Sequence, residues 1–273
     1  MTVISLKTAR LREGPTLPYA EAGYPGGTPV VFVHGLADSW WSFEPLLRRL
    51  PPSLHGYAPT QRGHGDAERP PDGYAPEDFA ADLVAFLDAA EIPRAVLVGA
   101  SSGGIAARIV AGSHPDRIAG LALLGVPATL AGNAAADAWA ERLDGLADPV
   151  PRAFAEEFVA AMSAGPLARG FAETMVEEAV KVPVRVWRET AHALRDTDLR
   201  ATLGGILVPT LVVWGEQDPF LTRDDQQTIL DAVHGAAFLS YEGTGHAVHW
   251  ERPERVLADL TAFATRVAPA GPA

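Results

Sequence analysis

Residues Val96-Leu97-Val98-Gly99-Ala100-Ser101-Ser102-Gly103-Gly104 place a serine between glycines two positions before and two positions after it, directly behind an apolar run and ahead of a helical pattern. A serine hydroxyl attacks well only when the chain holds it out from the backbone, and a very tight strand-to-helix turn does this. Such a turn leaves almost no room for side chains at the flanking positions, a demand that Gly99 and Gly103 meet. A helix opening at Ser102 would aim its first amides at the site, where they hold developing negative charge. The chemistry this points to is nucleophilic attack by Ser101 on an electrophilic carbonyl.

Such a nucleophile needs a base, and the base needs an orienting acid. Thr210-Leu211-Val212-Val213-Trp214-Gly215-Glu216-Gln217-Asp218 reads as a strand followed by a short loop that ends in a carboxylate. Glu216 competes with Asp218 for the acid, whereas Asp224 and Asp225 suit the first turn of the following helix. The loop Glu242-Gly243-Thr244-Gly245-His246-Ala247-Val248-His249-Trp250-Glu251-Arg252-Pro253 follows the last strand pattern and offers two candidate bases, His246 and His249.

One further segment, Val30-Val31-Phe32-Val33-His34-Gly35-Leu36, is a buried-strand pattern running into His-Gly. Together these segments resemble the α/β-hydrolase fold family, and the order Ser, then Asp, then His is the chain order of that fold. The loop Gln61-Arg62-Gly63-His64-Gly65 also resembles one common in the family, with Thr60 where an aspartate usually leads. The resemblance selects Asp218 over Glu216 and, through Gly-His followed by Glu-x-Pro, His246 over His249. It implies that the Leu36 and Ser102 amides form an oxyanion hole and that His34 orients its loop rather than moving protons.

What the resemblance implies for activity is a serine hydrolase that cleaves a carboxylic ester or lactone through an acyl-enzyme, with no metal and no organic cofactor. A serine at position 101 disfavours dehalogenase and epoxide hydrolase chemistry, which use an aspartate there. His-Gly-Leu-Ala, in place of His-Gly-Phe-Pro, disfavours perhydrolase chemistry. Two alternatives stay open: a carbon–carbon bond hydrolase of ring-cleavage diketones, and a non-catalytic ligand-binding member of the fold.

These residues must be carried by a scaffold, and the chain alternates short apolar runs with helical patterns, the mark of a mostly parallel sheet covered by helices on both faces. The runs are Val30–Val33, Ala95–Val98, Gly120–Leu124, Thr210–Trp214 and Ala236–Tyr241, with an edge hairpin from Val3–Arg10 and Leu17–Ala22. Helices are expected over Glu77–Ala90, Ser102–Gly112, Arg223–Val233 and Pro253–Val267. Between Leu143 and Ile206 the alternation breaks into helical patterns, at Pro151–Ser163, Leu167–Lys181 and Pro183–Asp196. The expected organisation is an α/β-hydrolase core of residues 1–126 and 206–267, an inserted helical cap of residues 127–205, and a fraying tail of residues 268–273. Phe158, Met175 and Trp187 are the cap side chains expected to face the substrate pocket, which would suit a small hydrophobic ester or lactone.

Bulk properties narrow the partners. A formal charge of −12 disfavours nucleic acid and anionic membranes. The absence of cysteine removes disulfides and thiolate metal sites. No signal-peptide pattern opens the sequence and no apolar run is long enough to span a bilayer, so cytoplasmic residence is the expectation, with oligomeric state left open. Because no histidine–carboxylate spacing fits a metal either, treatment with EDTA is expected to leave activity unchanged. Loss of turnover that added zinc restores would contradict this.

Overall fold

Apolar runs that are buried on both faces must be covered on both faces, and here they form the middle of one twisted sheet. The computed structural model describes residues 2–268. Among these, eight strands form one sheet: β1 (Ile4–Arg10), β2 (Thr16–Gly23), β3 (Thr28–Val33), β4 (Leu54–Pro59), β5 (Ala95–Ala100), β6 (Ile118–Leu124), β7 (Thr210–Gly215) and β8 (Ala237–Tyr241). Their order is β1-β2-β4-β3-β5-β6-β7-β8. β1 pairs antiparallel with β2, from Ile4 opposite Ala22 to Arg10 opposite Thr16, β2 pairs antiparallel with β4, and the other pairings are parallel.

The helices are α1 (Glu44–Leu47), α2 (Pro76–Ala89), α3 (Ser101–Ser113), α4 (Ala134–Asp144), α5 (Arg152–Ala161), α6 (Arg169–Lys181), α7 (Val184–Asp196), α8 (Arg223–Ala232), α9 (Val248–Glu251) and α10 (Pro253–Val267). Successive strand side chains point to opposite faces and sort into two cores. Val31, Val33, Leu97, Leu121, Leu123 and Val212 pack with α2, α3 and α8 on one face. Val30, Phe32, Val96, Val98, Leu211 and Val213 pack with α1, α9 and α10 on the other. None of the described helices is long and apolar enough to cross a membrane.

β4 and α4 escape the sequence pattern, as do the one-turn helices α1 and α9. β4 reads Leu-His-Gly-Tyr-Ala-Pro, poor in β-branched residues, yet it is buried throughout because it is paired on both sides, by β2 and β3. α4 is alanine-rich with only Ala140 and Leu143 buried, so its apolar stripe is too thin to register as a period. α3 begins at Ser101 rather than Ser102, a difference of one residue that puts the serine inside the first helical turn. From residue 269 onward, the expected fraying tail lies outside the described residues.

Between β6 and β7 there is no strand among the described residues, only α4 to α7 and a 3₁₀ turn at Leu199–Gly205. Arg108, on α3, ties this segment down. Its side chain is fully buried and donates to Pro127 O (2.8 Å), Ala128 O (2.8 Å) and Leu199 O (3.1 Å), so one guanidinium holds the chain both where it enters the helical segment and where it leaves. Burial without a carboxylate partner lowers its pKa to about 10, still above neutrality, and charged donors make the stronger hydrogen bonds. Arg108→Met is expected to strand three buried carbonyls and cost about 3 kcal/mol in chemical denaturation, with Arg108→Lys losing less because one ammonium reaches fewer of them. Unchanged stability in the methionine variant would show that the carbonyls find other donors.

Candidate active site

The parallel strands deliver their C-terminal ends to one edge of the sheet, where open α/β sheets place their crevice. β5 ends at Ala100 and passes into α3 through Ser101, which has φ +49°, a left-handed conformation that a residue with a side chain rarely adopts. The turn is possible only because its neighbours are small. A Cβ on Gly99 would come within 2.4 Å of Gly104 Cα, and one on Gly103 within 2.1 Å of the His34 carbonyl oxygen. The first amides of α3 have no intrahelical acceptor, and Ser102 N is among them.

β3 ends at Val33 and leads into His34, which is buried. Its Nδ1 lies 2.8 Å from Gly35 O, a carbonyl that can only accept, so Nδ1 carries the proton. Its Nε2 then accepts from Gln61 N at 2.9 Å, and the Gln61 amide donates to His34 O at 2.7 Å. Burial pushes the His34 pKa well below the usual histidine value, so the ring is a neutral strut whose one proton is committed to Gly35 O. The loop that opens with Thr60 thus braces the turn after β3: Thr60 Oγ1 accepts from Trp40 N (3.3 Å), and Arg62 locks the loop to Asp82 through two hydrogen bonds of 2.6 and 2.7 Å. Leu36, the next residue after the His-Gly pair, has an amide with no hydrogen-bond acceptor among the described residues.

β7 ends at Gly215, and the loop after it carries Asp218, whose side chain is fully buried. Oδ1 accepts from the amides of Phe220 (2.8 Å) and Leu221 (3.1 Å), and Oδ2 lies 2.7 Å from His246 Nδ1. Since a carboxylate only accepts, His246 is protonated at Nδ1 and Nε2 keeps a free lone pair. The histidine loop is fixed from three sides: Gly245 N donates to Glu251 Oε1 (2.7 Å), Gln217 N to Thr244 O (2.9 Å), and Ala247 N to Met162 O (2.7 Å) at the end of α5.

The rival residues lie elsewhere. Glu216 is exposed and its side chain makes no hydrogen bond among the described residues; Asp225 closes the capping box of α8 with Thr222, and Asp224 is exposed in the same first turn. His249 stacks on Phe43 and reaches Ser42 Oγ at 3.0 Å, with no bond to Asp218.

Ser101, Ser102, Leu36 and His246 all line one cavity of about 150 Å³. Its walls are mostly apolar, with Trp139, Phe158, Trp187, Phe220 and Trp250 supplying aromatic surface. Phe158 and Trp187 are among the lining residues, and Met175 is not. It sits on α6, which packs both on α5 and on the turn at Trp40–Phe43, and it is buried without lining the cavity. Met162, at the end of α5, takes the wall position. Helical periodicity marks a side chain as inward-facing without saying which inner surface it meets. Two polar wall residues were also missed, Asp38 and Asn133. Asp38 had a usable signal, a carboxylate two residues beyond Leu36 on the same loop. Among the described residues no cluster of three or more histidine and acidic side chains has the grouping of a metal site.

A serine on a strained turn, an imidazole with its outer nitrogen free, and unpaired amides around one apolar cavity are groups that could together serve acyl transfer. The comparisons with known proteins agree with the scaffold. A family model of the alpha/beta hydrolase fold matches residues 28–253. A non-heme chloroperoxidase from Streptomyces lividans is 29% identical to this chain, with 94% of this chain and 98% of the relative aligned. A putative carbamate hydrolase from Variovorax paradoxus is 33% identical, over 85% of this chain and 90% of its own. Among solved structures, a hydrolase from Pseudomonas aeruginosa superposes with a TM-score of 0.84 at 25% identity, covering 95% of this chain and 98% of that one. The enol-lactonase of Burkholderia xenovorans gives 0.84 at 23% identity, covering 95% and 100%, a likeness of fold alone. With strand order, helical layers and a family match spanning most of its length in agreement, the chain belongs to the α/β hydrolase family.

Proposed function

We propose that the protein is a serine hydrolase that cleaves a carboxylic ester or lactone, with Ser101 as nucleophile, His246 as general base and Asp218 as orienting acid. The observation that carries this reading is the 2.7 Å bond from His246 Nδ1 to a carboxylate already held by two amides, because it leaves Nε2 as the only free proton acceptor of the ring, on the cavity that Ser101 also lines. In this mechanism His246 Nε2 takes the Ser101 proton as Oγ attacks the carbonyl carbon. The oxyanion is received by the Leu36 and Ser102 amides, the leaving alcohol departs with the proton from Nε2, and an acyl-enzyme remains. A water that gives its proton to Nε2 then attacks the acyl carbon and releases the acid. Asp218 stabilises the imidazolium at each transfer without itself being protonated.

Helices α4 to α7 act in this reading as a cap: α5 and α7 bring Phe158, Met162 and Trp187 onto the cavity, so substrate choice is set by the segment inserted between β6 and β7. An apolar, aromatic wall suits a small to medium hydrophobic acyl or alcohol group. The likeness to a chloroperoxidase makes hydrogen peroxide a useful alternative to water in the second half-reaction, and diketones test carbon–carbon cleavage. Rates across esters, lactones and diketones, with and without peroxide, separate these uses of the same site.

Two outcomes test the residue roles. Ser101→Ala is expected to fold, to lose turnover and to lose covalent labelling by a fluorophosphonate, whereas Ser102→Ala keeps much of both because its contribution is a backbone amide; labelling that persists in the Ser101 variant would remove the nucleophile from this reading. Asp218→Asn is expected to lower ester turnover by about 10⁴-fold, about 5 kcal/mol of barrier, since an amide donor favours the wrong imidazole tautomer. Glu216→Gln and Asp224→Asn are expected to stay near wild type. A folded Asp218 variant with most of its activity would mean that the acid comes from elsewhere.

A further inference from the structure

Asp38 follows Ala37, a non-glycine residue at φ +61°, on the loop that carries Leu36, and it lines the cavity although only 8% of it is exposed. Its Oδ2 accepts from Ser42 Oγ at 2.7 Å. Ser42 Oγ also receives the Trp250 indole at 2.8 Å and lies 3.0 Å from His249 Nε2. An indole nitrogen only donates, so Ser42 has one proton to place and one further donor to accept. Either the Ser42 proton goes to Asp38 while His249 Nε2–H donates to Ser42, or Asp38 donates to Ser42 and Ser42 to His249. The second arrangement would put a proton on His249 Nδ1, which is buried with no partner, and stranded N–H groups are rarer than stranded acceptors. The first arrangement therefore holds. Oδ2 of Asp38 is an acceptor committed to Ser42, and Oδ1, which makes no protein hydrogen bond of good geometry and is not sealed from the cavity, is the free end of the carboxyl.

We propose that Asp38 is a specificity-determining residue, in which the carboxyl oxygen left open to the cavity anchors, by a hydrogen bond, a keto or ether oxygen of the substrate distinct from the scissile carbonyl. This rests on the Ser101-centred reading of the site. The direction of the bond follows from the surroundings. No lysine, arginine or histidine pairs with Asp38 among the described residues. The titratable groups near it are His249 on α9, neutral with its pKa lowered to about 3 by burial, His246 beyond it, and Glu178 on α6, a like charge that Lys181 holds at 2.7 Å. Burial first, and Glu178 in addition, push the Asp38 carboxyl up to about 8 against the opposing pull of Ser42 and the Ser39 amide. At neutral pH the carboxyl is thus mainly protonated, and with Oδ2 occupied as an acceptor the proton resides on Oδ1 as a donor into an apolar chamber. A buried donor with no partner in the free enzyme favours substrates that supply one.

The experiment uses matched esters that differ by one oxygen: p-nitrophenyl pentanoate against p-nitrophenyl levulinate on the acyl side, and pentyl against ethoxyethyl butanoate on the alcohol side. Each kcat/KM is divided by the alkaline hydrolysis rate of the same compound. The wild type is expected to favour the oxygen-bearing member of at least one pair by about three- to tenfold at neutral pH. This preference is expected to fall as pH rises through about 8, where Asp38 loses its proton. Asp38→Asn keeps a donor that does not titrate, so its preference is expected to persist and to stay flat with pH, while Asp38→Leu brings the ratio to about one. Because the readout is a ratio, it is independent of any change in overall rate, and the asparagine variant decides the matter should the leucine variant fail to fold. Absence of preference in both pairs, its survival in Asp38→Leu, or the same pH-dependent fall in Asp38→Asn overturns the assignment. Failure of the underlying reading shows separately, as wild-type protein that no fluorophosphonate labels.

Discussion

The turn that carries Ser101 is the constraint to which the rest of the architecture answers. A left-handed serine costs free energy of order 1–3 kcal/mol and persists only where the surroundings over-determine it. Here β5 is paired along both edges, by β3 and β6, and α3 is pressed so closely on the strand and on the His34 loop that neither Gly99 nor Gly103 has space for a Cβ. Packing thus drives the chain through a conformation that local preference resists. The same closeness brings the loop after β3 alongside the start of α3, so the amides proposed as an oxyanion hole come from two elements clamped to one another.

Around that turn, polar groups are aligned by hydrogen bonds rather than by charge. His34, His64 and His249 are buried and their pKa values lowered by desolvation, so each is a neutral ring; His34 is held through both nitrogens, His64 and His249 through one. His246 differs in having a carboxylate partner, Asp218, 2.7 Å from its Nδ1. Four histidines near one sheet edge therefore have distinct possibilities set by their partners. Asp38 extends the pattern, since a chain of hydrogen bonds from Trp250 through Ser42 assigns its two oxygens different tasks.

The helical segment between β6 and β7 shares one apolar core with this framework, and specific polar contacts fasten it. Arg108 grips both of its stems, Met162 O receives the amide next to His246, and Arg69, Arg185 and Lys181 link it to the loop around Gly65 to Pro71. A segment fastened at its ends and at the histidine loop can vary its inner side chains without disturbing the turn below. That separation is the physical reason the fold hosts many chemistries.

Much of this was legible without coordinates, because the informative features are local. A glycine-flanked serine after an apolar run, a carboxylate just beyond a strand and a histidine after glycine each depend on residues close in sequence, and short continuous apolar runs mark β3, β5, β6 and β7, the strands buried on both faces. Tertiary structure alone decided the features that require distant partners. β4 is a strand because β2 and β3 pair with it on both sides, not because its own residues favour one. Met175 and Met162 are both buried, yet only Met162 lines the cavity, because the surface a helix side chain meets is set by what packs against that helix. The carboxyl of Asp38 is an ordinary loop acid in the sequence; its burial and its place on the cavity arise only when α9 and α6 close over the loop, since desolvation is a property of everything that surrounds a group rather than of the group itself.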